Sequence, residues 1–245
     1  MSYKNYIDND YVAKLEKLHQ EKQLLKLLID SKQIDEPLVI ELSGLPRTGK
    51  TTTFEQLYDF FKKGGFKISK AEEPADLLKK SMSLCELKNL SDVQFNDRTL
   101  EISKNNLINA KKAGSDIIVM DRGIIDNYFW YQLYFNKKLI SKEIYTFYLK
   151  QLKSDIEMID KLFLLNANTD VIMKRDYNNS IYIEDRNKTN EENVNNLAIA
   201  YNDLGNNLEE FYNDMVRIDT STISPRDTAI LIADETIKSY QKKIR

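Results

Sequence analysis

Five short runs of mostly apolar or β-branched residues stand out along the chain, at 38–43, 66–71, 116–121, 161–166 and 215–219. Runs of this length and composition are typical of strands buried in a sheet. The segments between them have the apolar spacing of helices, as at 51–63, 100–112, 141–160 and 226–242. Because strands and helices alternate, the sequence predicts an α/β fold with a parallel sheet of about five strands flanked by helices.

Residues 1–36 follow a different pattern. Leucines such as Leu15, Leu18 and Leu25 recur among many charged residues, which indicates a helix outside the alternating units. We therefore divide the chain into an N-terminal helical extension over 1–36 and a main domain over 37–245. A helix that packs on the main domain is the favoured interpretation. The alternative is a helix that mediates homodimerisation or binds a protein partner.

The segment after the first apolar run reads G-x-x-x-x-G-K-T, the P-loop pattern of nucleotide-binding proteins. Its place between a predicted strand and a predicted helix is the context that the motif requires. Glycines let the loop turn its N–H groups toward phosphate oxygens, and the helix N-terminus adds partial positive charge. The expected nucleotide-binding residues are Gly44, Leu45, Pro46, Arg47, Thr48, Gly49, Lys50, Thr51 and Thr52. Lys50 is expected to contact the β- and γ-phosphates and Thr51 to ligate Mg²⁺, which predicts ATP and Mg²⁺ as cofactors.

Two more polar segments follow predicted strands: Glu72-Glu73-Pro74 and Asp121-Arg122-Gly123. Ligands of open α/β sheets bind at the carboxyl ends of the strands, so we expect both segments to lie beside the P-loop. Asp121 is predicted to hold Mg²⁺ together with Thr51. The alternative for Asp121 and Arg122 is a strand-end turn with a surface ion pair.

The composition narrows the function classes. The formal net charge is −2, so no global field favours nucleic acid or a membrane as a partner. The chain has a single cysteine, Cys85, which excludes an internal disulfide framework and fits a reducing compartment. We expect Cys85 to be a small buried apolar residue. The one histidine, His19, lies outside the motifs and is expected at the surface, which disfavours histidine-based catalysis. Without an apolar leader or membrane-spanning stretch, we expect a cytoplasmic protein.

Three features follow one another along the chain: an arginine inside the P-loop (Arg47), Glu73-Pro74 after the second predicted strand, and Asp121-Arg122 after the third. In this set the chain resembles the thymidylate kinase and deoxynucleoside kinase group of P-loop kinases, from about residue 38 to the C-terminus. The resemblance implies a three-layer P-loop NTPase fold, ATP as phosphoryl donor and a small molecule as acceptor. It also implies that Arg47 and Arg122 stabilise charge on the transferred group.

The same resemblance assigns acceptor and lid residues. Phe95 and Arg98 resemble, with one intervening residue fewer, a Phe-x-x-x-Arg region that faces the acceptor. Tyr131-Gln132 resembles a Tyr-Gln pair of the following helix. The implied acceptor-binding residues are Glu73, Phe95, Arg98, Arg122, Asp126, Tyr131 and Gln132. Phe129 and Trp130 are read either as pocket or as core residues, and core is favoured. A mobile lid over about 174–190 would bring Arg175 and Arg186 to the phosphates, and solvated surface charge is the alternative for both.

Departures from the group pattern lie on the acceptor side. Pro46 stands where thymidylate kinases commonly have Asp, and Glu72 where they often have Arg. Gly123 and Asp126 replace a Tyr and a Ser of the group. Acidic residues therefore accumulate there, which disfavours a dianionic acceptor and suits a hydroxyl or a cation.

These residues together predict a kinase that moves the γ-phosphoryl group of Mg-ATP to a small acceptor, most simply a nucleoside or nucleoside monophosphate. Glu73 is the expected base for an acceptor hydroxyl, with Glu72 as the second choice. The first alternative is a kinase of a non-nucleotide acceptor such as an amino sugar or antibiotic. The second is a regulatory NTP-binding module that signals to a protein partner.

Overall fold

The computed structural model describes residues 9–179 and 190–244 of the chain. Five strands alternate with helices within these ranges. The strands are β1 (Leu38–Gly44), β2 (Ile68–Ala71), β3 (Ile117–Asp121), β4 (Lys161–Asn166) and β5 (Met215–Asp219). The helices are α1 (Asn9–Lys32), α2 (Lys50–Lys62), α3 (Pro74–Ser81), α4 (Leu84–Lys88), α5 (Asp92–Lys112), α6 (Ile124–Asn136), α7 (Lys142–Asp155), α8 (Thr169–Asn179), α9 (Glu191–Glu209) and α10 (Pro225–Lys243).

The five strands form one sheet in the order β2-β3-β1-β4-β5, and every neighbouring pair is parallel. β1 is central: its Leu42 pairs with Asp121 of β3, and its Gly44 pairs with Leu165 of β4. The prediction of a five-stranded parallel sheet is confirmed, although β2 begins two residues later than the sequence indicated. The central position of β1 places the P-loop in the middle of the carboxyl edge.

Helices cover the sheet on both faces. Successive side chains of a strand point to opposite faces, so each strand contributes residues to two cores. Val39, Ile118 and Leu162 pack with α5, α6, α7 and α9 in one hydrophobic core. Ile40 and Phe163 pack with α1, α2 and α10 in the other core. The predicted three-layer α/β architecture is therefore confirmed.

Several helices differ from the sequence prediction in their ends. α5 begins eight residues earlier than expected, where Ser91 and Gln94 form a capping box. The α-helix predicted over 141–160 ends at Asp155 and is followed by one turn of 3-10 helix, Ile156–Met158.

Cys85 lies exposed on α4, so the prediction that it is buried was wrong. None of the described helices is long and apolar enough to cross a membrane.

α1 packs on the rest of the fold along its apolar side. Leu18, Leu25 and Ile29 are buried in the same core as α2 and α10. Lys22 donates to the Phe60 carbonyl at 2.9 Å, and Lys26 pairs with Asp116 at 3.0 Å. These contacts match the favoured interpretation of the N-terminal helix. The division into 1–36 and 37–245 stays a prediction, as does a homodimer.

Candidate active site

The P-loop connects the end of β1 to the start of α2 at the carboxyl edge of the sheet. At Gly44, where φ is +142°, a Cβ atom would lie 2.0 Å from the Leu165 carbonyl oxygen of β4, so only glycine fits. Gly49, with φ of +90°, immediately precedes α2. The loop therefore directs the helix N-terminus, with its partial positive charge, at the edge where ligands bind.

The Lys50 side chain lies inside this loop and is 6% exposed. Its Nζ donates to the carbonyl oxygens of Gly44 at 2.9 Å and Leu45 at 2.7 Å. Burial, and after it the positive charge of Arg122, lower the pKa of Lys50 to about 7. A polyanion in the loop would favour the charged form of this amine. The position suits contact with phosphates.

Thr51 and Asp121 meet across the edge of the sheet. The Thr51 hydroxyl donates to Asp121 Oδ2 at 3.1 Å, and Asp121 is 4% exposed. Hydroxyl and carboxylate oxygens are the hard ligands that Mg²⁺ prefers. Among the described residues no group of three or more His, Cys, Asp or Glu side chains could hold a metal ion. The donor set therefore fits an ion that takes its other ligands from phosphates and water, as Mg²⁺ usually does.

A cavity of about 580 Å³, here called the P-loop cavity, opens at this edge. Its walls include P-loop residues 46–52, Glu73, Asp121, Arg122, Arg175, Thr220 and Ile223. Helix α8 reaches it through two neighbouring residues. Arg47 Nε pairs with Asp176 at 2.6 Å, and Arg175 donates to the Thr220 carbonyl at 2.6 Å and to the Arg47 carbonyl at 3.2 Å. Arg47 and Arg175 thus lie together at one wall, whereas Arg186 lies outside the described residues.

A second cavity of about 400 Å³ adjoins the first, and Glu73 and Arg122 line both. The remaining lining residues are Pro74, Ala75, Lys79, Asp92, Phe95, Asn96, Thr99, Asp126, Asn127, Trp130 and Tyr134. Three of them are aromatic, and several carry amide or hydroxyl groups. A wall of this kind can hold a flat polar ring.

Arg122 occupies the junction of the two cavities. Its Nε lies 3.5 Å from Glu73 Oε1, and its Nη1 donates to Asp126 Oδ2 at 3.2 Å. The carboxylates of Asp126 and Glu73 raise the pKa of Arg122 against the opposing effect of burial. The pKa of Glu73 is raised, chiefly by burial, although Arg122 lowers it. Glu72 does not line either cavity and pairs with Lys80 at 3.7 Å.

The sequence profile of the AAA domain family matches residues 39–211, which is most of the chain. The chain belongs to the AAA domain family. The matched range of this AAA domain contains the P-loop, Glu73, the turn from Asp121 to Gly123 and helix α8. Among curated proteins, no sequence relative was found.

Two solved structures share the fold of this AAA domain. One is the deoxyadenosine kinase of M. mycoides with the products dCMP and dCDP bound, with a TM-score of 0.59. The other is the M. mycoides deoxyadenosine kinase with bound dATP, with a TM-score of 0.54. Each has 17% sequence identity to this chain and covers 81% of it and 98% of the solved chain. The likeness shows a common fold over nearly the whole of those proteins.

Three residues expected to bind an acceptor do not line the second cavity of this AAA domain. Tyr131 is fully buried, donates to Asp97 at 2.6 Å and stacks on Tyr148. Gln132 is also buried and donates to Asn136 at 2.8 Å. Arg98 points away on the exposed side of α5, where its guanidinium contacts the Met82 sulfur at 3.9 Å. Tyr131 and Gln132 face away because helix α6 turns its buried side to α5 and α7.

The other predicted acceptor residues are placed in the second cavity. Phe95, Asp126, Glu73 and Arg122 all line it. Trp130 is only partly buried and also lines it, whereas Phe129 is buried and stacks on Tyr201 at 4.1 Å. Phe129 is therefore a core residue, whereas Trp130 packs against the core and also faces the cavity.

Sequence reasoning missed three residues that form hydrogen bonds with the side chain or main chain of Asp126 but line neither cavity. Glu41 is fully buried in β1, and its carboxylate accepts the N–H groups of Ile125 at 2.9 Å and Asp126 at 2.7 Å. Ser43 and Tyr201 both donate to Asp126. The one signal for Glu41 was a charged residue within an apolar strand, which is rarely buried without a partner. Nothing local marked Ser43 or Tyr201.

Proposed function

We propose that this protein transfers the γ-phosphoryl group of Mg-ATP to a small acceptor, at a hydroxyl group of a nucleoside or at a phosphate oxygen of a nucleoside monophosphate. The observation that carries the proposal is the pair of adjoining cavities with Glu73 and Arg122 in the wall of both. One cavity contains the P-loop, and the other is lined by aromatic and amide side chains. Two ligands held in them would have their reacting ends at the same two side chains.

The P-loop cavity supplies the donor contacts in this proposal. The loop amides and Lys50 bind the phosphate chain. Thr51 and Asp121 would hold Mg²⁺, which screens the negative charge of the phosphates when it is bound. Arg47 and Arg175, which helix α8 brings together, would add positive charge at the outer wall. Arg186 remains a proposed lid residue on the sequence resemblance.

The second cavity would hold the acceptor, whose hydroxyl group is the nucleophile. Glu73 is half-buried at the junction, and its raised pKa makes it a better proton acceptor than an exposed carboxylate. The acceptor hydroxyl oxygen forms a bond to the γ-phosphorus while the bond to the β,γ-bridging oxygen breaks. The hydroxyl proton passes to Glu73, and ADP leaves with the electron pair of the broken bond. Arg122 stabilises the negative charge on the transferred group.

The aromatic wall favours a nucleoside within the class of small acceptors. Phe95, Trp130 and Tyr134 line the second cavity together with the amide of Asn96. Aromatic faces stack on bases, and amides can form hydrogen bonds with base edges. Acidic groups in the same wall suit a hydroxyl acceptor more than a dianion.

The test is the incubation of purified protein with γ-labelled ATP, Mg²⁺ and a panel of nucleosides, nucleoside monophosphates and aminoglycosides. Label on a nucleoside or a monophosphate supports the proposal. Label on an aminoglycoside alone supports the amino sugar or antibiotic kinase. Release of phosphate alone, stimulated by another protein, supports the regulatory module, and both of these results overturn the proposed acceptor class.

A matched pair of variants tests the role of Glu73. Glu73→Gln removes the proton acceptor and should slow transfer by about a hundredfold or more, the scale of general base catalysis, with ATP binding retained. Glu72→Gln makes the same change on the adjacent residue, which is exposed and paired with Lys80. It should leave the rate unchanged. Full turnover by Glu73→Gln contradicts the assignment of the base.

A further inference from the structure

Asp126, expected from the sequence to bind an acceptor, has both carboxylate oxygens engaged by protein groups. Oδ1 accepts from Ser43 Oγ at 2.5 Å and from the Tyr201 hydroxyl at 2.6 Å. Oδ2 accepts from Arg122 Nη1 at 3.2 Å. The residue is 3% exposed. A carboxylate held in this way has little capacity left to bind a substrate directly.

Ser43 reaches Asp126 because of its place in β1. Residues two apart in a strand point to the same face, so Glu41 and Ser43 both face α6. Glu41 accepts the main-chain N–H groups of Ile125 and Asp126 at the start of α6, while Ser43 holds the Asp126 side chain. The strand that ends in the P-loop thus fixes both the backbone and the carboxylate at this helix end.

Tyr201 reaches Asp126 from a different element, α9. Its ring stacks on Phe129 of α6 with centroids 4.1 Å apart and planes 5° apart. The ring is 3% exposed, and the stacking leaves its hydroxyl directed at Asp126 Oδ1. Two hydroxyl donors from separate elements therefore fix one carboxylate oxygen, so the other oxygen faces Arg122.

Arg122 needs such support because of its backbone and its surroundings. Its φ is +56°, in the left-handed region that non-glycine residues occupy only when the surrounding structure holds them there. Its main-chain N–H donates to the Leu42 carbonyl of β1 at 3.0 Å. The guanidinium is 18% exposed, and its other carboxylate contact, Glu73, is 36% exposed. Asp126 is thus the more deeply buried of the two groups that hold it.

We propose that Ser43 and Tyr201 are positioning residues that act through Asp126 to fix the Arg122 guanidinium at the junction of the two cavities. The positioning itself is a property of the folded protein, and its effect on rate rests on the proposed function. Removing either hydroxyl frees Asp126 Oδ1 to rotate and weakens the contact at Oδ2, because networks of buried hydrogen bonds reinforce one another. Without these supporting hydrogen bonds, Arg122 would still be present at the junction, but its guanidinium would no longer be held in one orientation.

The first experiment needs no substrate. Exchange of the Arg122 Nη–H protons, which include the one donated to Asp126, with water is measured by ¹⁵N NMR, and their signals are identified by their loss in Arg122→Lys. Tyr201→Phe and Ser43→Ala should each speed exchange by about tenfold, the scale of one hydrogen bond to a charged group. Tyr212→Phe is the matched control, because its hydroxyl donates to the Ile159 carbonyl, which lies between the 3-10 turn and β4. Exchange as slow in both variants as in wild type overturns the proposal.

The second experiment is a double-mutant cycle on phosphoryl transfer. Tyr201→Phe should lower kcat by about tenfold without changing the KM for ATP, since it disturbs alignment and not donor binding. In an Arg122→Ala background the same change should cost nothing further, whereas a merely structural role would give additive losses and overturn the proposal. If wild-type protein transfers no phosphoryl group, the proposed function fails, and the exchange measurement still decides the positioning. Circular dichroism verifies that each variant is folded.

Discussion

The hydroxyl of Thr51, the second residue of α2, donates to the carboxylate of Asp121, the last residue of β3, at 3.1 Å. The two residues are seventy positions apart in the chain. They meet because β3 pairs with β1 in parallel register and both strands end at the same edge. This contact joins the phosphate-binding loop to the turn that carries Arg122.

Thr51→Val should weaken nucleotide binding in the presence of Mg²⁺ by at least about tenfold, the scale for losing even an outer partner of a bound metal. Calorimetry with ATP, in Mg²⁺ and in EDTA, measures the effect, which should be confined to the Mg²⁺ titration. Thr53→Val makes the same change in the same helix, where the buried Oγ1 has no hydrogen-bond partner among the described residues. It should bind as wild type does. Equal losses with and without Mg²⁺ would argue against a metal at Thr51.

Nucleotide binding at pH 8 should be accompanied by proton uptake at Lys50. Burial and Arg122 lower the pKa of this amine to about 7, so much of it is neutral at pH 8 before a ligand binds. The negative charge of the phosphates favours the ammonium form and raises the pKa again. Affinity should therefore fall as the pH rises above about 7.

The uptake is measured from the binding enthalpy in two buffers of different ionisation enthalpy. Lys50→Arg is the control, because a guanidinium stays charged at pH 8 and takes up no proton. Identical enthalpies for wild type in the two buffers would show that Lys50 is already charged.

Gly123→Ala should destabilise the protein by about 1–3 kcal/mol, the usual cost of an extra methyl group in a close-packed interior. A Cβ atom at this position would lie 2.7 Å from Glu41 Oε2 and 2.9 Å from Met120 Cβ. Glu41 cannot move aside without releasing the two N–H groups that it accepts. Urea unfolding measures the loss.

Gly64→Ala is the matched control for this change. Its Cβ would come as close, 2.8 Å, but to the Cδ and Cε atoms of the Lys22 side chain. A long side chain can shift, so the cost should be clearly smaller than at Gly123. Equal costs at the two glycines would contradict the view that Glu41 is held rigidly.

Glu41→Gln should change how stability depends on pH. Burial raises the pKa of Glu41 from 4.5 to about 8, so between these values the folded protein binds a proton that the unfolded chain has released. The contribution of Glu41 to the free energy of unfolding is thus greatest below pH 4.5 and falls as the pH rises to about 8. The stability of wild type relative to Glu41→Gln should fall between pH 5.5 and 8.5, as measured by urea unfolding. A constant difference would mean that Glu41 does not titrate in this range.

The sequence by itself determined the architecture and the P-loop half of the site. Strand runs such as 117–121 and 161–166 are continuous and apolar because both faces of the sheet are covered, and this pattern is local. The P-loop is also local, since its glycines, Lys50 and Thr51 act within eight consecutive residues. Parallel strands that end at one edge then bring Glu73 and Asp121 to the loop, which topology alone predicts.

Only the tertiary structure decided which side chains face the second cavity and what holds them. Tyr131 lies in the core and Trp130 at the cavity, although they are neighbours in one helix, because the rotation of α6 is set by its packing on α5, α7 and α9. Asp126 is engaged by Ser43 and Tyr201, which are separated from it by 83 and 75 positions. No local pattern encodes a hydrogen bond between distant elements, since it forms only where the packed helices leave both groups buried and within reach.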